Sequence, residues 1–245
     1  MYPILQIGPL AIQLPGLLLV GGMWLAILMV ERDAPRHGIS AAAVNNMIFY
    51  GLIAGIVGAR LGYVIRYFDT YRANPLSVLA LDPNTLSVSF GCLVAFIAAL
   101  IYGQRKELPL WPTLDALTPG VALFMIAWGF GHLSSGDAFG APTSMPWGIE
   151  LWGANRHPSQ VYEILGAGLI LLIVVRTQQH RWVSGMHALL FIGLSAAMRL
   201  FLEAFRGDSV LLLAGIRQAQ VVSLAVLLAA LVMIRNRVLT SSEKA

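Results

Sequence analysis

Three charged residues in an apolar stretch near the carboxyl-terminal end are the first candidates for chemistry. Arg199 and Glu203 stand four residues apart, so on a helix they share one face, and Arg206 follows about one turn later. A charged side chain inside hydrocarbon is costly, which makes such residues functional-site candidates. We expect Arg199 or Arg206 to hold a phosphate while Glu203 orients an arginine. A structural ion pair at a helix end is the alternative.

A further arginine lies among glycines in a different apolar stretch. Arg60 has Gly55, Gly58 and Gly62 close by, and glycines allow membrane helices to pack closely. They also leave room for a bulky headgroup beside the guanidinium. The segment is therefore a candidate phosphate-binding site, although Arg60 could instead extend towards the membrane surface.

A polar segment, residues 156–163 with the sequence RHPSQVYE, offers a second set of candidates. His157 could act as a general base, or it could position a surface loop. The proline after it ends that loop, so Ser159 is expected to cap the following helix. Glu163, near the start of this helix, favours the positive end of the helix dipole.

Residues 129–140, with the sequence GFGHLSSGDAFG, combine glycines with two titratable side chains. We expect the helix to unwind here, because non-helical backbone at membrane depth is tolerated where it lines a cavity or is buried. His132 and Asp137 could then pair to activate a nucleophile. A hydrogen-bonded helix end explains the same two residues equally well.

Membrane helices must position all of these residues. Hydrophobic residues make up 58% of the 245-residue chain and charged residues 11%, whereas soluble proteins carry about 25% charged residues. We therefore predict an all-α integral membrane protein with a single transmembrane domain, residues 1–245. Seven apolar stretches approach the length of about 20 residues that a span requires. They are residues 12–30, 44–67, 86–102, 114–133, 160–175, 185–205 and 221–234.

The distribution of basic residues predicts an amino terminus outside the cell and a carboxyl terminus in the cytoplasm. In this topology the two lysines, Lys106 and Lys244, lie inside, and the outer basic residues are all arginines, including Arg156. Arginine presents a planar fork that matches phosphate, so we expect an anion-binding site near the outer leaflet. The longest loop, residues 134–159, is rich in proline and glycine and is predicted to form a structured outer-surface arm.

Other kinds of site find little support in the sequence. It contains no metal-ligand spacing, nucleotide-binding loop or GxSxG motif, so neither a cofactor nor a metal is expected. The single cysteine, Cys92, excludes an internal disulfide. The basic residues are scattered among loops, which argues against nucleic acid as a partner, while the net charge of +4 suits contact with anionic membrane lipids.

The order and spacing of several segments resemble the prolipoprotein diacylglyceryl transferase family. The resemblance spans nearly the whole chain, and RHPSQVYE is its most specific part. The matching segments are residues 7–10 (IGPL, with Pro9), 58–63 (GARLGY), 137–143 (DAFGAPT), 146–148 (PWG) and 156–163 (RHPSQVYE), and the R-x-x-x-E-x-F-R helix motif formed by Arg199, Glu203, Phe205 and Arg206.

The resemblance implies a seven-helix enzyme of the bacterial inner membrane. Such enzymes move the diacylglyceryl group of phosphatidylglycerol onto the lipobox cysteine in the signal peptide of a prelipoprotein, so that glycerol phosphate leaves and a thioether forms. The expected partners are phosphatidylglycerol, the prelipoprotein and other membrane lipids. On this interpretation Arg60, Arg156, Arg199 and Arg206 bind the lipid phosphate, and Glu203 orients one of them.

Several residues of the family pattern are replaced in this chain. A histidine, a tyrosine, an arginine and two asparagines are absent, at Phe90, Pro15, Gly129, His132 and Ser135 respectively. Asp137 stands in place of a glutamate. We expect His132 or His157 to take the role of the missing histidine. The alternative is a family member that binds phospholipid or lipoprotein without catalysing transfer.

Overall fold

The computed structural model describes residues 3–8, 10–79, 85–180, 182–212 and 215–242. Seven of its helices are long and apolar enough to cross a membrane, which confirms the predicted seven-helix membrane architecture. The helices are α1 (Leu14–Asp33), α2 (Ala41–Arg66), α3 (Phe68–Ala73), α4 (Val88–Arg105), α5 (Leu110–Ser135), α6 (Ser159–Thr177), α7 (Met186–Leu202) and α8 (Gln218–Ser242). Two antiparallel hairpins pair β1 (Ile4–Ile7) with β2 (Leu10–Gln13) and β3 (Ile149–Leu151) with β4 (Ala154–Arg156).

The chain divides into two compact units. The first comprises Met1–Asp33 and Leu114–Ala245, and the second comprises Ala34–Thr113. The single domain and the orientation expected from the sequence stay predictions. Pro9 of the opening motif and Lys244, which entered the orientation prediction, lie outside the described residues.

In the second unit, α2 packs along α4 through small residues. A Cβ atom on Gly91 would lie 2.8 Å from the Cβ of Ala59 and 2.9 Å from the carbonyl oxygen of Gly55. Phe90 lies directly against Gly62. The glycines near Arg60 therefore serve close helix packing, as their spacing predicts.

In the first unit, a buried carboxylate fixes the start of α7. The two oxygens of Asp115, on α5, accept backbone N–H bonds from Gly185 at 2.5 Å and from Ala188 at 2.9 Å. The first N–H groups of a helix lack acceptors within the helix, so Asp115 supplies them from a neighbouring helix. Because α7 carries Arg199, this cap helps to set the position of that arginine along the helix bundle.

The end of α5 lies close to its predicted position. The helix continues through Gly129 and ends at Ser135, and the backbone of residues 136–140 is no longer helical, so the unwinding expected within residues 129–140 occurs in its second half. A Cβ atom on Gly129 would lie 2.7 Å from Cγ1 of Ile164, which shows that this glycine permits a close approach of α5 and α6. The backbone turns only at Gly136, whose φ of +82° is readily adopted by glycine.

The prediction of a structured arm is confirmed, whereas the predicted end of the last helix is wrong. α8 extends eight residues beyond the predicted end at Ile234, because a helix can continue past its apolar part. The arm is structured as predicted and contains the β3–β4 hairpin. Trp152 and Gly153, both with positive φ, form the turn of this hairpin.

Candidate active site

One carboxylate near the start of α6 joins three elements of the first unit. Oε2 of Glu163 accepts a hydrogen bond of 3.1 Å from Nδ1 of His132 on α5. Oε1 accepts from Nη1 of Arg206 at 2.6 Å and from Nη1 of Arg199, on α7, at 3.4 Å. The Glu163 side chain is 14% exposed. A carboxylate this deeply enclosed needs paired cations, and the two arginines provide them.

The contact with Glu163 determines how protons are arranged on His132. A carboxylate only accepts hydrogen bonds, so Nδ1 must carry the proton and Nε2 is the acceptor of the neutral ring. The ring of Trp128 packs edge-on against His132, with the ring centroids 5.5 Å apart. An imidazole held in this way can take a proton from a neighbouring acid.

A second carboxylate, that of Glu203, pairs with Arg199, as their spacing in the sequence predicts. Oε2 of Glu203 lies 3.0 Å from Nη2 of Arg199 and 3.9 Å from Nε of Arg206. The side chain of Glu203 is only 2% exposed, so its charge depends on these two arginines. Arg199 is thereby held between Glu163 and Glu203, with one Nη atom directed at each carboxylate.

Arg206 is more fully bonded and more deeply buried than Arg199. All three nitrogens of Arg206 are bonded: Nη1 to Glu163, and Nε and Nη2 to the two oxygens of Asp208 at 2.9 and 2.7 Å. Burial alone would lower the pKa of Arg206, but the hydrogen bond with Asp208 and the charge of Glu163 raise it. The Arg199 side chain is 40% exposed, against 10% for Arg206. Arg199 is therefore the better placed of the two to contact a ligand.

His132, Glu163, Arg199, Glu203 and Arg206 form the Glu163 cluster. A further arginine, Arg217, holds the turn that carries Arg206. Its Nη1 donates to the carbonyl oxygen of Glu203, to that of Arg206 at 2.8 Å and to Oγ of Ser209 at 3.1 Å. Carbonyl groups at the end of a helix lack partners within the helix. Arg217 lies directly before α8, so it ties the start of α8 to the end of α7.

His132 and Asp137 do not bond to each other. Oδ2 of Asp137 accepts from Oγ of Ser135 at 2.7 Å, whereas His132 is held by Glu163. This arrangement matches the alternative of a hydrogen-bonded helix end. The side chains of His132 and Asp137 nevertheless line the same cavity.

His157 and Ser159 belong to the arm and its junction with α6. Nδ1 of His157 lies 3.4 Å from the hydroxyl of Tyr162, and its ring packs against Phe205. The prediction that Ser159 caps α6 is wrong, because the helix begins at Ser159 itself and no side-chain cap is formed. Oγ of Ser159 instead donates to the carbonyl oxygen of Ala138 at 2.5 Å.

The arm is bonded on both sides to the rest of the first unit. The N–H of Ala141 donates to the carbonyl of Phe205 at 2.8 Å, and the N–H of Gly207 donates to that of Phe139 at 2.8 Å. From α6, Nε2 of Gln160 donates to the carbonyl oxygen of Asp137 at 2.8 Å. The first part of the arm is thus fixed beside the turn that carries Arg206.

Arg156 stabilises the arm from within. It donates to the carbonyl oxygens of Leu151 at 3.0 Å and Gly140 at 3.2 Å, and its guanidinium lies over the ring of Phe139. These contacts occupy Nε and Nη1. A role for Arg156 as a phosphate ligand stays a prediction.

Arg60 lies in the second unit and binds the segment between α2 and α4. It donates to the carbonyl oxygens of Ser77 at 2.6 Å, Val78 at 2.8 Å and Thr85 at 3.1 Å. Its guanidinium also lies over the ring of Tyr71. A role for Arg60 as a phosphate ligand likewise stays a prediction.

Three cavities of the first unit lie around the cluster. The polar cavity, of about 380 Å³, is lined by Arg199, Glu203, Asp208 and Ala219 among others. The middle cavity, of about 150 Å³, is lined by Trp128, His132, Glu163 and Arg199 among others. The Asp137 cavity, of about 200 Å³, is lined by Pro15, Leu19, Trp128, Gly131, His132, Ser135 and Asp137. Arg199 and His132 therefore face the middle cavity together.

Sequence reasoning did not select Glu163, Asp208 or Arg217 as site residues. Glu163 was interpreted only through the helix dipole, although a carboxylate within an apolar stretch is itself a signal of a site. Asp208 stands two residues after Arg206, which is close enough for a local ion pair. Nothing in the spacing of Arg217 indicates that it reaches back to the end of α7.

Comparison with known proteins identifies relatives of the chain. Residues 3–235 match the family described as prolipoprotein diacylglyceryl transferase. A phosphatidylglycerol–prolipoprotein diacylglyceryl transferase of Finegoldia magna is 29% identical over 233 residues, which cover 94% of this chain and 94% of the relative. The protein of the same name in Synechococcus elongatus is 29% identical over 90% of this chain and 82% of its own length. That of Coxiella burnetii is 33% identical over 69% of this chain and 67% of its own length.

Proposed function

Because the chain belongs to the prolipoprotein diacylglyceryl transferase family, we propose that it transfers the diacylglyceryl group of phosphatidylglycerol to the lipobox cysteine of a prelipoprotein. Its seven apolar helices and its bacterial relatives make it a multi-pass protein of the bacterial inner membrane. The observation that carries the proposal is the carboxylate of Glu163, which holds His132 on one oxygen and Arg199 on the other. His132 and Arg199, which we assign as proton acceptor and phosphate ligand, line one small cavity together.

Arg199 is the proposed ligand of the lipid phosphate. Its side chain is the more exposed of the two clustered arginines, and it lines both the middle and the polar cavity. Glu203 orients Arg199 through the ion pair of 3.0 Å. Arg206 is held by Asp208 and supports Glu163, so its proposed contribution is to position the carboxylate and add positive charge near the phosphate.

His132 is the proposed proton acceptor for the cysteine. The thiolate is the nucleophilic form of cysteine, and Nε2 of His132 takes the thiol proton as sulfur attacks a glyceryl carbon. A bond forms between sulfur and carbon, and the bond from that carbon to the phosphate oxygen breaks. The bonding pair stays on the phosphate, which leaves as glycerol phosphate. Arg199 stabilises the negative charge that grows on this leaving group.

A transfer assay with purified protein in detergent tests the proposed function. With phosphatidylglycerol and a lipobox peptide, we expect a peptide whose mass increases by a diacylglyceryl group. A peptide with serine in place of the cysteine serves as the matched control and should remain unmodified. Bound phosphatidylglycerol without any product would contradict the proposal and would identify a family member that binds lipid but does not catalyse transfer.

The same assay separates the two candidate histidines. We expect His132→Ala to lower kcat by about 10²–10⁴-fold, the usual contribution of general acid–base catalysis. His157→Ala should have a much smaller effect, because His157 contacts Tyr162 and Phe205 rather than the Glu163 cluster. Initial rates at saturating concentrations of both substrates measure the difference. Equal losses in the two variants would remove His132 from the proposed role.

A further inference from the structure

The three cavities of the first unit follow one another in a defined order. Arg199 lines both the polar cavity and the middle cavity. His132 and Trp128 line both the middle cavity and the Asp137 cavity. The middle cavity therefore lies between the other two, with the guanidinium on one side and the imidazole on the other.

When a nucleophile displaces a leaving group at a saturated carbon, the two groups lie on opposite sides of that carbon. The nucleophile approaches that carbon from the side opposite to the departing oxygen, so a site must receive the two from different directions. In this protein the proposed phosphate ligand and the proposed proton acceptor are bonded to different oxygens of Glu163. The carboxylate therefore holds these two groups apart, one on each oxygen, while both line the middle cavity.

We propose that the Asp137 cavity is the subsite for the acceptor cysteine and that the polar cavity receives the headgroup which leaves. This inference rests on the proposed function and adds the directions from which the two substrates enter. Sulfur reaches the middle cavity past His132, gives its proton to Nε2 and bonds to the glyceryl carbon. The carbon–oxygen bond breaks towards Arg199, and glycerol phosphate remains on the polar side with the bonding pair.

The lining of the Asp137 cavity indicates which neighbours of the cysteine it accepts. Pro15, Leu19 and Trp128 offer an apolar wall, and Asp137 adds a carboxylate. An apolar wall favours an uncharged, apolar residue beside the cysteine, whereas an acidic residue would be repelled by the carboxylate. The subsite therefore fits an uncharged peptide segment that carries one thiol.

Glycine and alanine positions allow each cavity to be filled separately. A Cβ atom on Gly131 would lie 3.8 Å from the side chain of Leu19, so Gly131→Leu projects into the Asp137 cavity. Ala219 lines the polar cavity, and Ala219→Leu fills that space instead. Gly168, on α6, has open space where its Cβ would lie, which makes Gly168→Leu the matched control for a leucine added to a membrane helix.

Steady-state kinetics with the full-length protein test the assignment. Phosphatidylglycerol in mixed micelles and a lipobox peptide are varied in turn. We expect Gly131→Leu to raise the KM of the peptide by about tenfold, which corresponds to about 1.4 kcal/mol of lost binding free energy, because the leucine occupies space that the peptide would fill. Ala219→Leu should raise the KM of the lipid instead, and Gly168→Leu should change neither. Gly131→Ala, which meets only ordinary contacts, should shift the peptide KM in the same direction by less.

The outcomes distinguish this inference from the proposed function. If Gly131→Leu raises the KM of the lipid alone, or raises both KM values equally, the acceptor subsite is wrong while transfer itself stands. If the wild-type protein yields no product, binding of a fluorescent lipobox peptide replaces KM. Weaker peptide binding in Gly131→Leu but not in Ala219→Leu would then support the subsite although the proposed function fails. Equal binding in all variants would overturn the subsite.

Discussion

Glu163→Gln is expected to reduce kcat/KM for diacylglyceryl transfer by about 10³-fold or more, because this carboxylate orients the base and anchors both arginines. The amide keeps the shape of the side chain but removes its charge. The single amide oxygen cannot accept from both His132 and the arginines, because the NH₂ group at the other end only donates. Arg206, with only 10% of its side chain exposed, loses one of its compensating charges.

Stability should fall together with activity in this variant. Removing one partner of a buried ion pair costs about 3–5 kcal/mol, although Arg206 keeps its bonds to Asp208. Glu150→Gln, on the exposed side of the β3–β4 hairpin, is the matched control and should keep wild-type rates and melting temperature. If Glu163→Gln is folded and retains activity near that of the control, the central carboxylate has no part in catalysis.

Arg199→Ala is expected to lower kcat by about 10²–10³-fold, the usual cost of removing one group that stabilises transition-state charge. Glu163 and Glu203 would then share a single arginine, and their excess negative charge would repel the lipid phosphate. The KM for phosphatidylglycerol should therefore rise as well, while the KM for the peptide should change little. The assay measures both parameters by varying one substrate at a time.

Arg199→Lys should restore little of the lost rate. One planar guanidinium reaches Glu163 at 3.4 Å and Glu203 at 3.0 Å through different nitrogens, and a single ammonium does not reproduce that fork. Arg176→Ala provides the matched control, because Arg176 is an exposed arginine at the end of α6. Unchanged turnover in Arg199→Ala would exclude this arginine from the mechanism.

The membrane helices could be predicted from the sequence because each depends on a local property, the length of an apolar run. The same is true of the Arg199–Glu203 pair, since residues four apart face the same side of any helix. The ends of helices were harder to predict. Gly129 stood in the segment expected to unwind, but it lies within α5, where its missing side chain serves contact with Ile164 on α6, and one sequence pattern fits both uses.

The centre of the site depends on contacts between residues distant in the chain, which spacing does not reveal. Glu163 meets His132 from 31 residues away and Arg206 from 43 residues away. Which of His132, His157 and Asp137 would meet a partner depended on how α5 and α6 pack. The sequence therefore identified most of the charged participants but not the carboxylate that joins them.

The attachment of the arm restricts the route by which substrates can enter the site. Bonds from Phe205, Gly207 and Gln160 hold residues 137–141 in place, and each such bond contributes about 0.5–1.5 kcal/mol. A flap that opened in every cycle would have to break them together, at a cost that would slow each turnover. Lipid and peptide are thus expected to enter from the bilayer, between helices, while residues 137–141 stay in place.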